Sequence, residues 1–322
     1  MKTIEYFKLT ESHTKQHETL RTLRYPKMHL MQSYYSAYYK DRMQDVSFGI
    51  LYDNKCVGYV ACCVFDEKLC LPGGGLEISL LESLEKKDKK SLLLSTLDYI
   101  HSIAAEYKCE EIIYSDILKD DALSLLGEFL FQKGVESTLA LDMLIDYQNF
   151  EEASYRQSLR KSYKSLINWG KKKLDITSIN QESLLVEPFQ EFKKFHQKIS
   201  GRKTRSDETW TLQYEMLEKG YGELIIAHYE GKLVAGSLFL DNADKTIYST
   251  GAYERDLFQF GISHYVLYQG IINAYKRGTK SFSLGRFEQN ILDPKQANIQ
   301  FFKKGFAEKL TPVILWRQKL HI

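Results

Sequence analysis

Hydrophobic residues recur along this chain first at the spacing of strands and then at that of helices, and this order occurs twice. Runs of small and β-branched residues predict a hairpin at 47–65, with its turn at Asp53 and Asn54. A second run predicts another hairpin at 222–241, with a third strand at 245–256 beside it. After each hairpin come a helical stretch, a strand, a second helical stretch and a final strand. This order predicts an α/β fold with a mixed sheet, part of which is parallel.

The remaining elements follow from the same periods. Apolar residues at intervals of three and four predict helices at 88–108, 120–132, 155–174, 187–199, 264–276 and 294–304, with a short helix that ends at Lys219. Strands are predicted at 110–116, 137–145, 279–285 and 310–316, and a tyrosine-rich helix lies in the entry segment 1–40. Three glycines at 73–75 suit a phosphate loop, a turn or a close backbone approach, and the last two are favoured because no lysine-serine pair follows.

Short sequence blocks repeat between the two copies. The first copy ends its second helix in FQKG and the second copy in FKKG. Matched positions lie 177, 169 and 171 residues apart, measured from Lys55 to Lys232, from Cys109 to Gly278 and from Gly134 to Gly305. Similar spacing over separate blocks indicates a tandem repeat. We therefore predict two sister domains, at 1–147 and 148–322, that face each other across a cleft.

Composition agrees with two folded domains. A chain of 322 residues is longer than one hydrophobic core usually supports. Its 44 basic and 42 acidic residues give a formal net charge of +2, which excludes a chain-wide polyanion binder but allows a local basic site. A hydrophobic content of 43% argues against disorder.

The cysteines and the N-terminal residues indicate in which cellular compartment the protein is expected. The five cysteines form no CxxC pair; they are Cys56, Cys62, Cys63, Cys70 and Cys109. Buried thiols in a reducing compartment are favoured over zinc or disulfides, and we expect no metal. The N-terminal residues lack the apolar core of a signal peptide, and no stretch reaches the ~20 apolar residues of a membrane span. We expect a soluble, cytoplasmic protein without a transmembrane segment.

The stretch 155–174 is strongly basic. It carries seven cations and no acid between Arg156 and Lys173. On a helix its apolar residues would share one side and its cations the other. A solvated helix face and a contact with an anion both explain this arrangement. If an anion binds, Arg160 and Lys164 are the candidates for a clamp on a substrate phosphate.

Several blocks of the second half resemble the Fem family of aminoacyltransferases. They are SLRKSYKSLINWGKKKLDI at 158–176, GKLVAGSLFL at 231–240, YSTGAY at 248–253, FSLG at 282–285 and FKKGF at 302–306. The resemblance implies two tandem copies of the acyl-CoA N-acyltransferase (GNAT) fold. It also implies acyl transfer to an amine, in many members from aminoacyl-tRNA to the peptide of a cell-wall precursor.

Two departures from the family pattern concern the acyl donor. Members that use aminoacyl-tRNA often carry a long helical hairpin, whereas here only one short helix lies between Ile199 and Gly222. Members that bind acyl-CoA carry a loop of the form (Arg/Gln)-x-x-Gly-x-(Gly/Ala). In the aligned stretch 258–263, Gly261 matches the glycine and Ser263 is a small residue as at the last position, but Phe258 stands where Arg or Gln is expected. The second domain is therefore the candidate donor domain, with acyl-CoA slightly favoured over aminoacyl-tRNA. The first domain is predicted to support the acceptor.

Aminolysis of an ester or thioester requires a neutral amine, a stabilised oxyanion and a proton for the leaving group. Lys303, which matches the lysine of the family's Phe-Lys motif, is the candidate for neutralising the carbonyl oxygen, although a cation in the last turn of a helix also explains it. Tyr248 and Tyr253 are candidate proton donors, with strand packing as the alternative. His264 at a helix start is a candidate neutral base, with a surface imidazole as the alternative.

Two further candidates follow the strand 279–285. Arg286 is predicted to bind the cofactor together with Gly261 and Ser263, and Glu288 the substrate, because α/β ligands bind beyond the carboxyl ends of strands. We predict an N-acyltransferase that acts on an amine of a cell-envelope or surface-glycan precursor, either an amino sugar or a peptide, which is small or lipid-linked. The alternatives are a tRNA-dependent peptidoglycan-bridge aminoacyltransferase and a non-catalytic domain pair that binds an anionic glycan precursor.

Overall fold

The computed structural model describes residues 2–118 and 122–320. Its contacts divide the chain into Met1–Ala140 with Pro312–Ile322, called unit 1, and Leu141–Thr311, called unit 2. The C-terminal residues, which we assigned to the second domain, thus group with unit 1. That the two units are independent domains stays a prediction.

Unit 1 contains both predicted hairpin strands and the predicted helices. Its helices are α1 (Glu11–Gln16), α2 (Glu18–Thr22), α3 (Tyr25–Tyr39), α4 (Lys86–Glu106) and α5 (Leu125–Gln132), with a short 3₁₀ helix at Lys40–Arg42. Its strands are β1 (Ile4–Lys8), β2 (Met43–Asp45), β3 (Phe48–Tyr52), β4 (Lys55–Ala61), β5 (Cys63–Phe65), β6 (Lys68–Cys70), β7 (Glu77–Leu80) and β8 (Glu111–Ile117). Positions 120 and 121, where we predicted the start of the second helix, lie outside the described residues.

The strands of unit 1 form two groups. One is the antiparallel sheet β1-β3-β4-β7, and in the other β8 pairs in parallel with β6. An isolated parallel bridge joins Leu76 to Tyr114 of β8. Gly75 lies so close to β8 that a Cβ on it would be 2.2 Å from the carbonyl carbon of Tyr114. Gly75 therefore serves a close backbone approach, and Gly73 lies in a turn with φ of 76°, which are the two roles favoured from the sequence.

Unit 2 repeats the order of elements. Strand β9 (Glu136–Asp146) leads into α6 (Glu152–Ser158), α7 (Lys161–Lys173), β10 (Asp175–Ile179), α8 (Val186–Ser200), α9 (Asp207–Glu218), β11 (Gly222–Tyr229), β12 (Lys232–Asn242) and β13 (Lys245–Tyr253). A 3₁₀ helix (Arg255–Phe260), α10 (Ile262–Lys276), β14 (Ser281–Phe287), α11 (Pro294–Lys304) and β15 (Lys309–Lys319) follow. The division between the units falls within β9 and within β15.

The sheet of unit 2 is buried between helices. Its strand order is β10-β11-β12-β13-β14-β9, in which β13 and β14 are parallel and the other neighbours antiparallel. On one face Phe192 of α8 packs against Gly236, where a Cβ would be 2.5 Å from its ring. On the other face Gly270 of α10 packs against the ring of Phe239. Mixed pairing with helices on both faces confirms the predicted α/β fold.

The basic stretch is broken where we predicted one helix. Leu159 and Arg160 adopt extended backbone angles between α6 and α7. The break turns Leu159, which is 4% exposed, into the core. Helix α7 then packs along α10 and approaches it closely at Gly170, where a Cβ would be 2.4 Å from the Cβ of Tyr265.

Among the described residues, no helix combines the length and the apolar character that crossing a bilayer requires.

We predict that Gly170→Ala destabilises unit 2. Alanine favours a helix over glycine by ~1 kcal/mol, but its Cβ cannot rotate away from Tyr265, and overpacking costs about 1–3 kcal/mol. Urea unfolding followed by circular dichroism should therefore show a net loss of stability. Ser165→Ala on the exposed side of the same helix is the control and should be neutral or slightly stabilising. A Gly170→Ala protein more stable than the wild type would contradict this packing.

Candidate functional site

The parallel strands β13 and β14 separate after the first three residues of each strand. They pair over only three positions, the last of which joins Ile247 to Ser283. Gly285 follows with φ of 97°, a conformation that L side chains rarely adopt, and glycine permits the chain to bend there. Both strands continue beyond the last pair. A gap therefore opens between them on the side where ligands of α/β sheets bind.

Lys303, from the last turn of α11, lies in this gap. Its Nζ is 5.2 Å from the ring centroid of Tyr248 on β13 and 3.8 Å from where a Cβ on Gly285 would lie. Burial lowers the pKa of Lys303. It makes no ion pair with any residue in 2–118 or 122–320. A partly buried cation of this kind is suited to an anion or to negative charge that develops during a reaction.

Helices α6 and α7 hold the C-terminal end of α11 in place. None of its side chains is fully buried. Tyr163 of α7 donates a hydrogen bond to Phe302 O, and Tyr155 of α6 donates one to Phe306 O, both at 3.0 Å. The ring of Tyr163 also fills the space beside Gly305, where a Cβ would be 2.3 Å from its Cε2. Helices α6 and α7 therefore position the last turn of α11 and the lysine in the gap.

A chain of hydroxyl groups lies beside Lys303. The Tyr248 and Tyr253 hydroxyls are 2.8 Å apart, and the Tyr253 hydroxyl is 2.5 Å from Ser237 Oγ. Burial raises the pKa of both tyrosines. The ring of Tyr248 stacks on Phe239 at a centroid distance of 5.7 Å. Both predicted proton donors thus reach the same gap as the lysine.

His264 is enclosed by aromatic rings. Its ring centroid is 4.5 Å from that of Tyr163 and 4.9 Å from that of Phe302, with edge-on geometry in both contacts. Burial lowers the pKa of His264 to about 4, so the imidazole is neutral at neutral pH. We predicted a neutral imidazole because of the helix end, but burial is the main cause. Its Nδ1 has no hydrogen-bond partner within the described ranges.

The loop before α10 is covered by α7. Gly261 has φ of 67°, and Leu166 fills the space beside it, with Cβ 2.6 Å from where a Cβ on Gly261 would lie. The Gly261 N–H donates to Phe258 O at 3.0 Å within the loop. Phe260 stacks on Trp169 of α7 at 5.1 Å. The open space that glycine leaves for a ligand in such loops is filled here by protein.

The two cations proposed as a phosphate clamp point in different directions. The Arg160 guanidinium lies 4.4 Å from the ring centroid of Phe301 on α11. Lys164 Nζ instead donates to Gln157 O at 2.9 Å, so this side chain returns to α6. None of the cations at 156–173 makes an ion pair with a described residue. The stretch thus carries positive charge without ion-pair partners among the described residues, and Arg160 brings one of these charges beside α11.

The residues proposed for cofactor binding lie on two elements. Arg286 Nε of β14 lies 2.7 Å from Asp142 Oδ1 on β9, an ion pair without hydrogen-bond geometry. Ser263 lies in the first turn of α10, two residues after Gly261. Their assigned roles stay predictions.

A cavity of about 510 Å³ lies at the end of β14, and Glu288 lines it. The side chain of Gln300 holds the main chain of Glu288, because it accepts from the Glu288 N–H at 2.6 Å and donates to the Glu288 carbonyl at 2.9 Å. Phe301 and Lys304 of α11 form part of the wall. The cavity is large enough for one amino-acid-sized group.

Sequence reasoning missed Ser237, Gly251 and Tyr163 as parts of the site. Ser237 and Gly251 are small residues in strands, which by themselves indicate only tight packing. Gly251 could have been noticed, because a glycine inside a strand pattern often marks a close approach. Tyr163 was assigned to the apolar stripe of its helix, and nothing in the sequence shows that its hydroxyl reaches α11.

Comparisons with known proteins agree with this architecture. Residues 153–294 match the family model described as an acetyltransferase (GNAT) domain. FemX superposes with a TM-score of 0.64 at 12% identity, over 97% of this chain and 96% of that chain. L-PGS from Bacillus licheniformis superposes with a TM-score of 0.56 at 12% identity, over 93% of this chain and 90% of that chain. A tandem GNAT protein from the clavulanic acid biosynthesis pathway superposes with a TM-score of 0.51 at 7% identity, over 98% of each chain. At such identities the structural likeness shows the fold alone. No curated protein sequence matches the chain.

The chain has the fold of tandem GNAT proteins, and residues 153–294 form a GNAT acyltransferase domain. The resemblance to the Fem family noted in the sequence agrees with this fold. GNAT domains generally use acyl-CoA. The loop that would receive the CoA pyrophosphate does not fit that group well, since its glycine packs against Leu166 and the N–H of that glycine is already bonded. A search of the described residues found no group of three or more His, Cys, Asp or Glu side chains that could hold a metal ion.

We predict that His264→Phe weakens the dependence of stability on acidic pH. The pKa of His264 is lowered from 6.5 to about 4, so the unfolded chain binds more protons between these values and stability falls as pH drops from 6.5 to 4. His196, with a pKa also lowered to about 4 by burial, acts in the same window. Carboxyl groups such as Asp207, whose pKa is lowered from 3.8 to about 2, reduce stability only as the pH falls below 3.8.

Urea unfolding at pH 7 and pH 4.5 measures this effect. The wild type should lose more stability than His264→Phe, whose ring keeps the aromatic contacts without binding a proton. The same loss in both proteins would show that His264 is accessible to protons in the folded state.

Proposed function

We propose that this chain is an N-acyltransferase that moves an acyl or aminoacyl group onto an amine of a cell-envelope or surface-glycan precursor. The observation that carries the proposal is the position of Lys303 in the gap between β13 and β14. Aminolysis generates negative charge on the carbonyl oxygen, and a cation without a counter-ion in a partly dry gap stabilises such charge most strongly. The reaction needs no protein nucleophile, so a site of hydroxyls and one lysine suffices.

The donor in this proposal is an ester or thioester that does not rely on the loop before α10. The contact of Leu166 with Gly261 and the stack of Phe260 on Trp169 support a carrier other than CoA. The connection between α8 and α9 holds no additional helix, which distinguishes it from the long hairpin of tRNA-dependent relatives. An aminoacyl or acyl ester bound mainly by its acyl part agrees with both features.

The acceptor in this proposal carries negative charge and enters near α11. Arg160, which precedes α7, lies beside α11 with its guanidinium over the ring of Phe301 and makes no ion pair with a described residue. Glycan and peptide precursors linked to a nucleotide or a lipid carry phosphate groups, which such cations attract. The cavity beside Glu288 is the proposed place for the acceptor amine, because its carboxylate can pair with an ammonium group. A cytoplasmic location stays a prediction.

Lys303→Ala should lower kcat about 100-fold or more, because removing one oxyanion donor typically costs about 10²–10³ in rate. The assay incubates the protein with acetyl-CoA, with aminoacyl-tRNA or with activated acyl esters, together with phosphorylated amino-sugar and peptide precursors, and detects acylated amines by mass spectrometry. Lys295→Ala, an exposed lysine of the same helix outside the cavity, is the matched control and should keep wild-type activity.

Three results separate the alternatives. Full activity of Lys303→Ala would remove the lysine from the mechanism. Transfer from acetyl-CoA with ordinary saturation would contradict the proposed donor. Binding of phosphorylated precursors without transfer from any donor would indicate the non-catalytic binding function instead.

A further inference from the structure

Aromatic side chains form an exposed surface at the loop before α10. The 3₁₀ helix Arg255–Phe260 has no buried residue, and its Phe258 and Phe260 are 56% and 37% exposed. The ring of Phe260 stacks on Trp169 of α7 at a centroid distance of 5.1 Å, and Trp169 also contacts Tyr229 at 5.5 Å. Exposed apolar side chains are common when they stand singly, but a group of neighbouring aromatic ones indicates an interaction surface.

Lysines of α7 border this aromatic group. Lys172 and Lys173 follow Trp169 by three and four residues, and residues at these spacings are neighbours on the surface of a helix. Both lysines are exposed, and neither makes an ion pair with a residue of 2–118 or 122–320. Within the 3₁₀ helix, Arg255 and Asp256 offset each other, so the net charge of this region is positive. We call the following residues the aromatic-basic surface: Trp169, Lys172, Lys173, Phe258 and Phe260.

The chemistry of the aromatic-basic surface fits an anionic lipid bilayer better than RNA. Phenylalanine and tryptophan rings are favourable at the boundary between head groups and acyl chains, and lysines attract the phosphates of anionic lipids. RNA-binding surfaces instead stack bases on free aromatic faces and favour the planar guanidinium of arginine. Here the rings of Trp169 and Phe260 each cover one face of the other, and the cations beside them are lysines.

The aromatic-basic surface also adjoins the strand that carries part of the candidate site. Tyr253, whose hydroxyl lies 2.8 Å from that of Tyr248, is the last residue of β13. The 3₁₀ helix begins two residues later. A bilayer that contacts this helix is therefore close to the carboxyl end of β13, where the gap between β13 and β14 opens.

We propose that the aromatic-basic surface binds a membrane that contains anionic phospholipids, with Phe258 inserted among the head groups and Lys172 and Lys173 at the lipid phosphates. This docking rests on the surface alone. Its purpose, to bring the protein to a lipid-linked acceptor instead of a freely diffusing one, rests on the proposed acyl transfer. Enzyme and acceptor are then confined to one plane, which raises their effective concentration without any new contact.

Sedimentation with vesicles measures the docking without any acyl donor. The wild type should bind vesicles of phosphatidylcholine and phosphatidylglycerol in equal parts about tenfold or more tightly than vesicles of phosphatidylcholine alone, and salt should weaken the binding. Phe258→Ser should weaken it about tenfold, because the phenyl group no longer leaves water. Lys172→Gln and Lys173→Gln should each weaken it about fivefold. Lys276→Gln, which removes an exposed lysine at the opposite end of α10, is the matched control and should bind like the wild type.

Phe258→Trp tests the insertion of this side chain directly. The native Trp210 and Trp316 are buried, so they report little on a membrane. The variant should keep wild-type affinity for the anionic vesicles, because tryptophan is also favourable at the membrane boundary. Its fluorescence should shift to the blue on binding. Lipids that carry bromine on their acyl chains should quench it more strongly than they quench the wild type, and equal quenching of both proteins would contradict the insertion.

The remaining outcomes decide between the docking and its alternatives. Equal binding to both kinds of vesicle, no binding to either, or unchanged binding of Phe258→Ser and Lys173→Gln would overturn the docking. RNA binding that both lysine variants weaken, in a protein that binds no vesicles, would identify an RNA interface instead.

The transfer assay separates the docking from the proposed function. Vesicle binding without any acyl transfer would support the docking and refute the proposed function, whereas transfer without vesicle binding would refute the docking alone. With a lipid-linked acceptor in anionic vesicles, Phe258→Ser should raise KM about tenfold and leave kcat unchanged. An unchanged KM would overturn the link between the docking and the acceptor.

Discussion

Helix α11 depends on hydrogen bonds that it receives from outside its own sequence. The helix has no fully buried side chain, so apolar burial alone does not determine where its last turn lies. Tyr163 donates to Phe302 O, which also accepts from the Gly305 N–H, and Tyr155 donates to Phe306 O just beyond the last residue of the helix. The break after α6 and the close packing of α7 on α10 place the two tyrosines. The position of Lys303 in the gap therefore follows from helices that precede it by more than a hundred residues.

The glycine that ends the FQKG block and the one that ends the FKKG block have different structural roles. In unit 1, Gly134 has φ of 68° and nothing lies within 4 Å of its Cβ position, so it ends helix α5 in a left-handed conformation. In unit 2, Gly305 has an ordinary φ of −67° but leaves room for the ring of Tyr163. Gln132, which corresponds to Lys303, is exposed. The motif is thus a helix end in one unit and a packing contact beside the proposed site in the other.

Most elements could be predicted because periodicity is a local property. The second hairpin, the helices α4, α8 and α10 and the strand β14 lie within two residues of prediction, since strand and helix spacings show directly in the order of apolar residues. In the first hairpin, predicted at 47–65, the second strand ends at Ala61, and residues 63–65 form β5 in the other sheet. The break in the basic stretch was missed, because residues on both sides of Leu159 suit a helix. Only the contact of Leu159 with the core requires the chain to turn there.

The sequence by itself determined that the chain contains two copies of one α/β unit, that α7 is basic and that the second FKKG block carries a lysine, since these are properties of residue order. Only the tertiary structure decided what surrounds that lysine. The gap depends on where β13 and β14 stop pairing, and the hydroxyl chain joins residues of two strands at distances of 2.5 and 2.8 Å. The same holds for the loop before α10, where Gly261 matches a cofactor motif but packs against Leu166. Such contacts depend on how strands and helices pack in three dimensions, and no local pattern of hydrophobic and polar residues encodes them.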